Sequence, residues 1–489
     1  MVFTSFEYLL CFLPVAVCVA YLCARMRHAS ALVWIVCASL FFYAFWKLSY
    51  LPILLASILF NYSCGRLIER SAAKKGWLAA GITANVALLG YYKYTNFAAD
   101  ILSSITGADF HLQTIVLPLA ISFFTFQQIA WLVDQYRSDA PKSSFAEYVC
   151  AVAFFPHLIA GPIVQYHDLI PQFQNRESFS PHWDSIAKGL FLIGCGVFKK
   201  IVIADTLAVY VSFAFDASPS LSLLQAWLAV FSYTMQIYFD FSGYCDIAIG
   251  SALLLGIRLP DNFQSPYKAS SVREFWQRWH MTLGSFLTRY LYIPLGGSRK
   301  GLARTCLNVL LVMFLSGLWH GAGFGFILWG VAHGVAMVMQ RLWNAAGRAL
   351  PRIFATALTF LFVSIAWVLF RATDLEAASK VYKGMFGLGG IALPQGLQRL
   401  LPSSWDISYA GTAAIFGMEM PELRNILWAV LAAFLCVYAC REAGQIWDSL
   451  MRRNSRLLYG VSFGSAALLL LAFVKMVAVP YTEFIYFNF

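Results

Sequence analysis

The chain has 489 residues, of which 60% are hydrophobic and only 12% charged. Soluble domains carry about 25% charged residues, so a soluble fold of this length would lack the polar surface to cover itself. The formal net charge of +11 sits in short loops between apolar runs, which fits the positive-inside rule for membrane proteins better than a nucleic-acid-binding face; no nucleic-acid partner is expected.

In chain order, the first apolar run is Phe3–Cys23. It has no basic leader, carries Glu7 near its start and is followed by no small-residue cleavage site. It is expected to be a retained helix rather than a cleaved signal peptide. Ser30–Trp46, Leu48–Gly65, Leu112–Val133, Leu221–Phe239, Ile353–Phe370 and Leu457–Met476 are nearly free of charge. At roughly 17–25 residues each can cross a bilayer as a helix. The expected fold is an all-α polytopic membrane protein, with about 11–13 crossing or re-entrant pieces in one domain over residues 1–489. No linker, repeat or low-complexity segment divides it.

Loop charge sets the expected orientation. Arg25 and Arg27, then Arg66, Arg70, Lys74 and Lys75, then Arg137 and Lys142 mark cytoplasmic loops, whereas Thr95–His111 has no Lys or Arg. Arg441, Arg452, Arg453 and Arg456 mark another cytoplasmic loop near the C-terminus. Both termini are thereby expected towards the outer side, the periplasm of a bacterial inner membrane. Gly387–Arg424, rich in Gly, Pro and Ser, is the longest non-spanning piece and is also expected outside.

Residues 258–304 depart from this pattern. They hold eight Lys or Arg against two acids, interleaved with aromatics in "FWQRWHMTLGSFLTRYLYIPLGGSRK". Such alternation is too dense for a spanning helix and suits an amphipathic or re-entrant segment at the cytoplasmic face.

Residues 305–340 carry the foremost candidate for chemistry. His320 lies in "LNVLLVMFLSGLWHGAGFGFILWG", with no Asp, Glu, Lys or Arg from Leu307 to Gly330. A neutral imidazole in a dry site can accept a proton, and Gly317, Gly321, Gly323 and Gly325 leave room beside it. A histidine hydrogen-bonded to a neighbouring helix would carry the same signature. His280, at the end of "REFWQRWH", is a second candidate; an interfacial helix with aromatic and snorkelling basic residues is its structural alternative. His333 reads as a packing residue. Lys268, Arg273, Arg278, Arg289, Arg299 and Lys300 are either positive-inside charge or the cations that draw in a polyphosphorylated donor such as coenzyme A. Trp276 and Trp279 accompany them. Asp240 and Asp246 in "YFDFSGYCDIAIG" either mark ion coupling or orient Arg or Tyr partners, the second being favoured.

Eleven cysteines stand singly, with no CxxC pair and no Cys/His cluster of metal-ligand spacing. They read as small buried hydrophobes, and no metal is expected. GxxxxGK and GxGxxG are absent, so neither an ATP nor an NAD site is expected.

"FFPHLIAGPIVQYHDLIPQ", "DFSGYCDIAIGSALLLGIRLPDNFQSPYKASSVREFWQRWHMTLGSFLTRYLYIPLGG" and "SGLWHGAGFGFILWG" resemble the membrane-bound O-acyltransferases (MBOAT). More narrowly, they resemble the bacterial alginate O-acetyltransferase branch, with its cellulose and peptidoglycan acetylation relatives. The resemblance runs from "MVFTSFEYLLCFLP" to the end, and Cys245 stands where a small hydroxyl residue is expected. It implies a ring of helices around a thinned centre pierced by a tunnel. It implies that His320 is catalytic, that His280 lines the site, and that acetyl-CoA from the cytoplasm donates acetyl to an outer polymer such as alginate or cellulose. In that reading His320 deprotonates an acceptor hydroxyl, and His280 or a nearby Trp N–H steadies the oxyanion.

The segment 480–489 ends in "FIYFNF". Related D-alanyl transferases work with a small peptide ending in a similar aromatic motif around a Tyr, so Tyr486 is expected to carry acetyl to a periplasmic Ser-hydrolase-like acetyltransferase within the polysaccharide-synthesis machinery. A membrane-anchoring aromatic belt is the alternative. Other readings of the whole chain are a lipid-directed acyltransferase of the same family and a transporter or polymer-export subunit, which would need a polar pathway and often an inverted repeat.

Overall fold

A computed structural model describes residues 1–108, 115–159, 161–395, 398, 408–452, 457–478 and 484–485. Tyr486 lies outside the described residues. A π-helical turn, Glu7–Phe12, runs into α1 (Leu13–Met26), followed by α2 (His28–Ala44), α3 (Leu51–Arg70) and α4 (Lys74–Thr106). Gly107 ends α4 in the left-handed region, at φ 68°, where a residue without Cβ meets no penalty. Next come α5 (Ile121–Arg137), α6 (Phe145–Ala153), α7 (Phe155–Leu158) and α8 (Tyr166–Gln174). α6 opens with a capping box: Glu147 N–H donates to Ser144 Oγ, and Ser144 N–H to Glu147 Oε2.

The centre is built from α9 (Trp183–Phe198), its π-helical continuation Lys199–Ala204, α10 (Asp205–Ser212) and α11 (Leu223–Leu254). α12 (Val272–Trp276) and α13 (Met281–Leu287) follow, and then the long hairpin of α14 (Gly301–His320) and α15 (Phe324–Ala345). The rest comprises α16 (Arg352–Arg371), α17 (Leu375–Met385), α18 (Thr412–Phe416), α19 (Met420–Ala439), α20 (Ala443–Met451) and α21 (Leu457–Ala478). Two short parallel strands, Ala392–Pro394 and Ser408–Ala410, pair with Ala392 opposite Ser408.

Among the described residues, six helical stretches are long and apolar enough to cross a membrane: Glu7–Met26, Leu48–Arg70, Gly301–His320, Phe324–Ala345, Arg352–Arg371 and Met420–Ala439. Leu22, Phe41, Leu59, Phe354 and Leu358 face outwards, as lipid-facing side chains do. The protein is an all-α polytopic membrane protein.

α11 is different, buried around its circumference from Ser232 to Leu254 apart from Gln236 and Asp246, as a helix apolar on all faces must be. The apolar run was expected to stop at Phe239, but the helix continues through Asp240 and Asp246. Their partners explain why: Lys200 Nζ is 2.7 Å from Asp240 Oδ1, and Lys199 Nζ is 2.7 Å from Asp246 Oδ2. The carboxylates thus meet lysines rather than the Arg or Tyr expected.

Glycines allow this pairing. A Cβ on Gly196 would lie 2.5 Å from the Gly243 carbonyl oxygen, and one on Gly250 2.6 Å from that of Gly189. The two contacts sit about two turns apart along each helix, so α9 and α11 meet backbone to backbone. Small residues serve helix association in membranes in this way. Gly196→Ala and Gly243→Ala are each expected to destabilise the protein by about 1–3 kcal/mol. This would be read as a lower melting temperature in detergent. Gly76→Ala, at a position with open space around it, is expected to leave the melting temperature unchanged.

Candidate active site

Residues 258–304 fold as short helices and turns around a buried centre. An antiparallel bridge joins Phe263 to Trp279, and His280 follows with φ 46° and ψ 51°. A left-handed conformation is uncommon for a residue with a side chain, and such strained positions gather at functional sites. It turns the fully buried His280 ring inwards, edge-to-face on Phe241 at 4.9 Å.

Asn262 determines which imidazole nitrogen of His280 holds the proton. Asn262 Oδ1 accepts from Thr282 N–H at 3.2 Å and from Thr282 Oγ at 2.9 Å, so that atom is the oxygen. His280 Nδ1, 3.2 Å from the same oxygen, is therefore the donor. Nε2 is left with a lone pair directed away from Asn262. The neutral ring thus offers an acceptor at Nε2.

His320 ends α14, where the last carbonyls have no partner inside the helix. α4 supplies partners: Lys93 Nζ donates to Trp319 O at 2.5 Å and to His320 O at 3.1 Å, and Tyr94 OH donates to Leu318 O at 2.7 Å. A cation at a helix C-terminus is also favourable electrostatically. The ring of His320 lies among Trp319 at 4.9 Å, Trp329 at 5.1 Å and Phe370 at 5.3 Å, with His280 at 6.4 Å. Gly317 lets α15 come close enough to place Trp329 there; a Cβ on Gly317 would sit 2.3 Å from Phe326 O. Trp329 Nε1 is buried without a hydrogen-bond partner among the described residues.

Two cavities lie near this pair. One of about 540 Å³ is lined by Lys188, Ser242, Cys245, Asp246 and Asn262, the residue holding His280. The other, of about 800 Å³, is lined by Lys93, Tyr233, Gln236, Gly321 and Ile485; Gly321 adjoins His320.

The remaining sequence candidates divide. Trp276 Nε1 donates to His333 Nδ1 at 3.2 Å, so His333, expected only to pack, orients Trp276. Trp279 is enclosed by Phe263, Phe275 and Trp367. Arg278 pairs with Glu274 at 2.7 Å, and Arg289 with Asp134 at 3.2 Å. Lys268 donates to the Cys440 carbonyl, and Arg273 is exposed. None of these four bases lines either cavity. Sequence reasoning missed Lys93, Asn262 and Trp329. The available signal for Lys93 was a lone cation inside the aromatic run "LLGYYKYTNF"; Asn262 and Trp329 carry none outside the fold.

Residues 134–369 match the profile of the membrane-bound O-acyltransferase (MBOAT) family. The chain is 41% identical to a peptidoglycan O-acetyltransferase of Helicobacter pylori, over 93% of this chain and 91% of that one. It is 38% identical to a probable alginate O-acetylase AlgI of Pseudomonas putida over 100% of both chains. A teichoic acid D-alanyltransferase of Bacillus subtilis is 27% identical over 52% of this chain and 68% of its own length.

Asn262→Leu strands His280 Nδ1–H and the Thr282 donors in a buried site. Each stranded group costs about 1–3 kcal/mol. The expected result is a lower melting temperature in detergent; an unchanged value would show that the Asn262 bonds do not hold the loop.

Proposed function

The chain belongs to the membrane-bound O-acyltransferase family, and on that premise we propose that it moves acetyl from cytoplasmic acetyl-CoA across the inner membrane to O-acetylate a polysaccharide outside. The observation that carries this reading is His320, held at the end of α14 among aromatic rings and 6.4 Å from His280, with one cavity lined by Asn262, which holds His280, and another by Gly321, next to His320. The 540 Å³ cavity is taken as the donor side. Arg258 and Lys188 at its wall meet the donor phosphates, and Trp276 and Trp279 shape the path to the thioester. In this reading the other cavity opens to the periplasm, the side to which the loop charges assign both termini.

His320 accepts the proton of an acceptor hydroxyl, and the freed oxygen attacks the thioester carbonyl carbon. Trp329 Nε1–H donates to the tetrahedral oxyanion; one such donor is typically worth about 10²–10³ in rate. His280, its Nδ1–H held on Asn262 Oδ1, lines the site beside the His320 ring. The carbon–sulfur bond then breaks, and the departing thiolate of coenzyme A takes the proton from His320. The chemistry uses no metal.

A polysaccharide is too polar and bulky to enter the membrane centre, so the acceptor is the phenol of Tyr486. Acetyl-Tyr486 then passes its acetyl to the serine of a periplasmic hydrolase-like partner, which modifies the polymer.

His320→Ala is expected to fold and insert, but to lose about 10²–10⁴ of the rate of transfer from labelled acetyl-CoA; retained transfer would overturn the assignment. After incubation with acetyl-CoA, mass spectrometry of the peptide holding Tyr486 is expected to find one added acetyl group. Tyr486→Phe is expected to abolish polymer acetylation with the partner present, and wild-type activity from that variant would remove the relay.

A further inference from the structure

Lys200, Asp205 and Asp240 form a buried charge cluster, with 3%, 8% and 1% exposure, where the continuation of α9 crosses α11. Lys200 Nζ lies 2.7 Å from a carboxylate oxygen of each acid. Asp205, five residues along the same segment, already gives Lys200 a local counter-charge. Asp240 comes from a different helix, and burying a further carboxylate at membrane depth is expensive. Its second oxygen indicates what it does: Asp240 Oδ2 accepts the backbone N–H of Ile485 at 3.0 Å.

The neighbours of that bond point the same way. Phe484 is fully buried and stacks on Tyr244 at 4.3 Å. It lies 5.9 Å from Phe241, whose ring meets His280. Ile485 lines the 800 Å³ cavity that reaches Gly321. Lys475 of α21 donates to Val202 O, in the same π-helical stretch that carries Lys200. A buried amide inside a membrane protein must find an acceptor, and a carboxylate makes the stronger, charge-assisted bond.

We propose that the Lys200–Asp240 pair is a positioning clamp for the C-terminal aromatic motif. Lys200 holds the Asp240 carboxylate, the carboxylate holds the Ile485 amide, and Phe484 docks on Tyr244. Together they fix Phe484 and Ile485, the residues just before Tyr486, beside Phe241 and the cavity that reaches Gly321. The clamp rests on the reading of that motif as the acetyl carrier. It makes Asp240 and Lys200 positioning residues that act through the segment and touch neither donor nor acceptor hydroxyl.

The test compares Asp240→Ala with Ile485→Pro, which removes the same bond from its other end while leaving the charge cluster intact. Ile485→Leu keeps the amide and serves as the control. Hydrogen exchange on the full-length protein in detergent reads the peptide spanning residues 484–489. It is expected to be protected in the wild type and Ile485→Leu, and exposed in Asp240→Ala and Ile485→Pro. In those two variants kcat for acetyl transfer is expected to fall about 100-fold, the scale of a small misplacement of reacting groups, with KM for acetyl-CoA unchanged. Wild-type protection in Ile485→Pro overturns the clamp. So does full transfer in both variants while Tyr486→Phe is inactive. Full transfer in all three variants overturns the relay reading instead, because the motif would then carry no acetyl.

Discussion

Two helices that touch backbone to backbone set the distances at the centre of this protein. Gly189 against Gly250 and Gly196 against Gly243 bring α9 and α11 closer than any pair with side chains at those positions. At that spacing the adjacent lysines 199 and 200 reach Asp246 and Asp240. The ion pairs relieve the cost of burying carboxylates in the longest buried helix, so α11 runs without a break past both acids. With α11 unbroken, Phe241, Tyr244 and Asp240 stand on it at fixed separations, and they meet His280, Phe484 and Ile485 respectively.

The same device recurs at the α14–α15 hairpin. Gly317 and Gly330 let that pair close, which carries Trp329 against His320. Lys93 and Tyr94 then take the free carbonyls at the end of α14. A buried cation directed at a helix C-terminus lowers the cost of both groups, since the carbonyls need donors and the ammonium needs acceptors. The outcome is an imidazole whose backbone is fixed by a neighbouring helix and whose ring is fixed by aromatic walls. His280 is fixed differently, by a left-handed backbone turn and by Asn262, and the two rings arrive 6.4 Å apart. Preorganisation of this kind lets reacting groups meet without a large entropy cost at the moment of reaction.

Much of this was legible in the chain alone. The charge-free run around His320 and the dense alternation of bases and aromatics before it marked the two segments that supply the imidazoles. The apolar runs at Phe3–Cys23, Leu48–Gly65 and Ile353–Phe370 fall on helices long and apolar enough to span, whereas Leu221–Phe239 falls on the buried α11 and the span Met420–Ala439 was missed. The reading fell short where a local signal was overruled by a distant partner. The end of the run at Asp240 looked like a helix boundary, because the lysines that neutralise α11 lie forty residues or more away. The bases of residues 258–304 looked like one anion site, yet Arg278 and Arg289 meet carboxylates on Glu274 and Asp134.

By itself the sequence determined that this is an all-helical membrane protein and which histidine sits in a charge-free setting, because hydropathy and charge are local properties with steep energies in lipid. Only the tertiary structure decided that His280 presents Nε2 as an acceptor, that Lys93 caps the helix of His320, and that Asp240 holds Ile485. Those facts depend on donors and acceptors far apart in the chain, brought to about 3 Å by helix packing, and a hydrogen bond at that range leaves no periodicity in the sequence that encodes it.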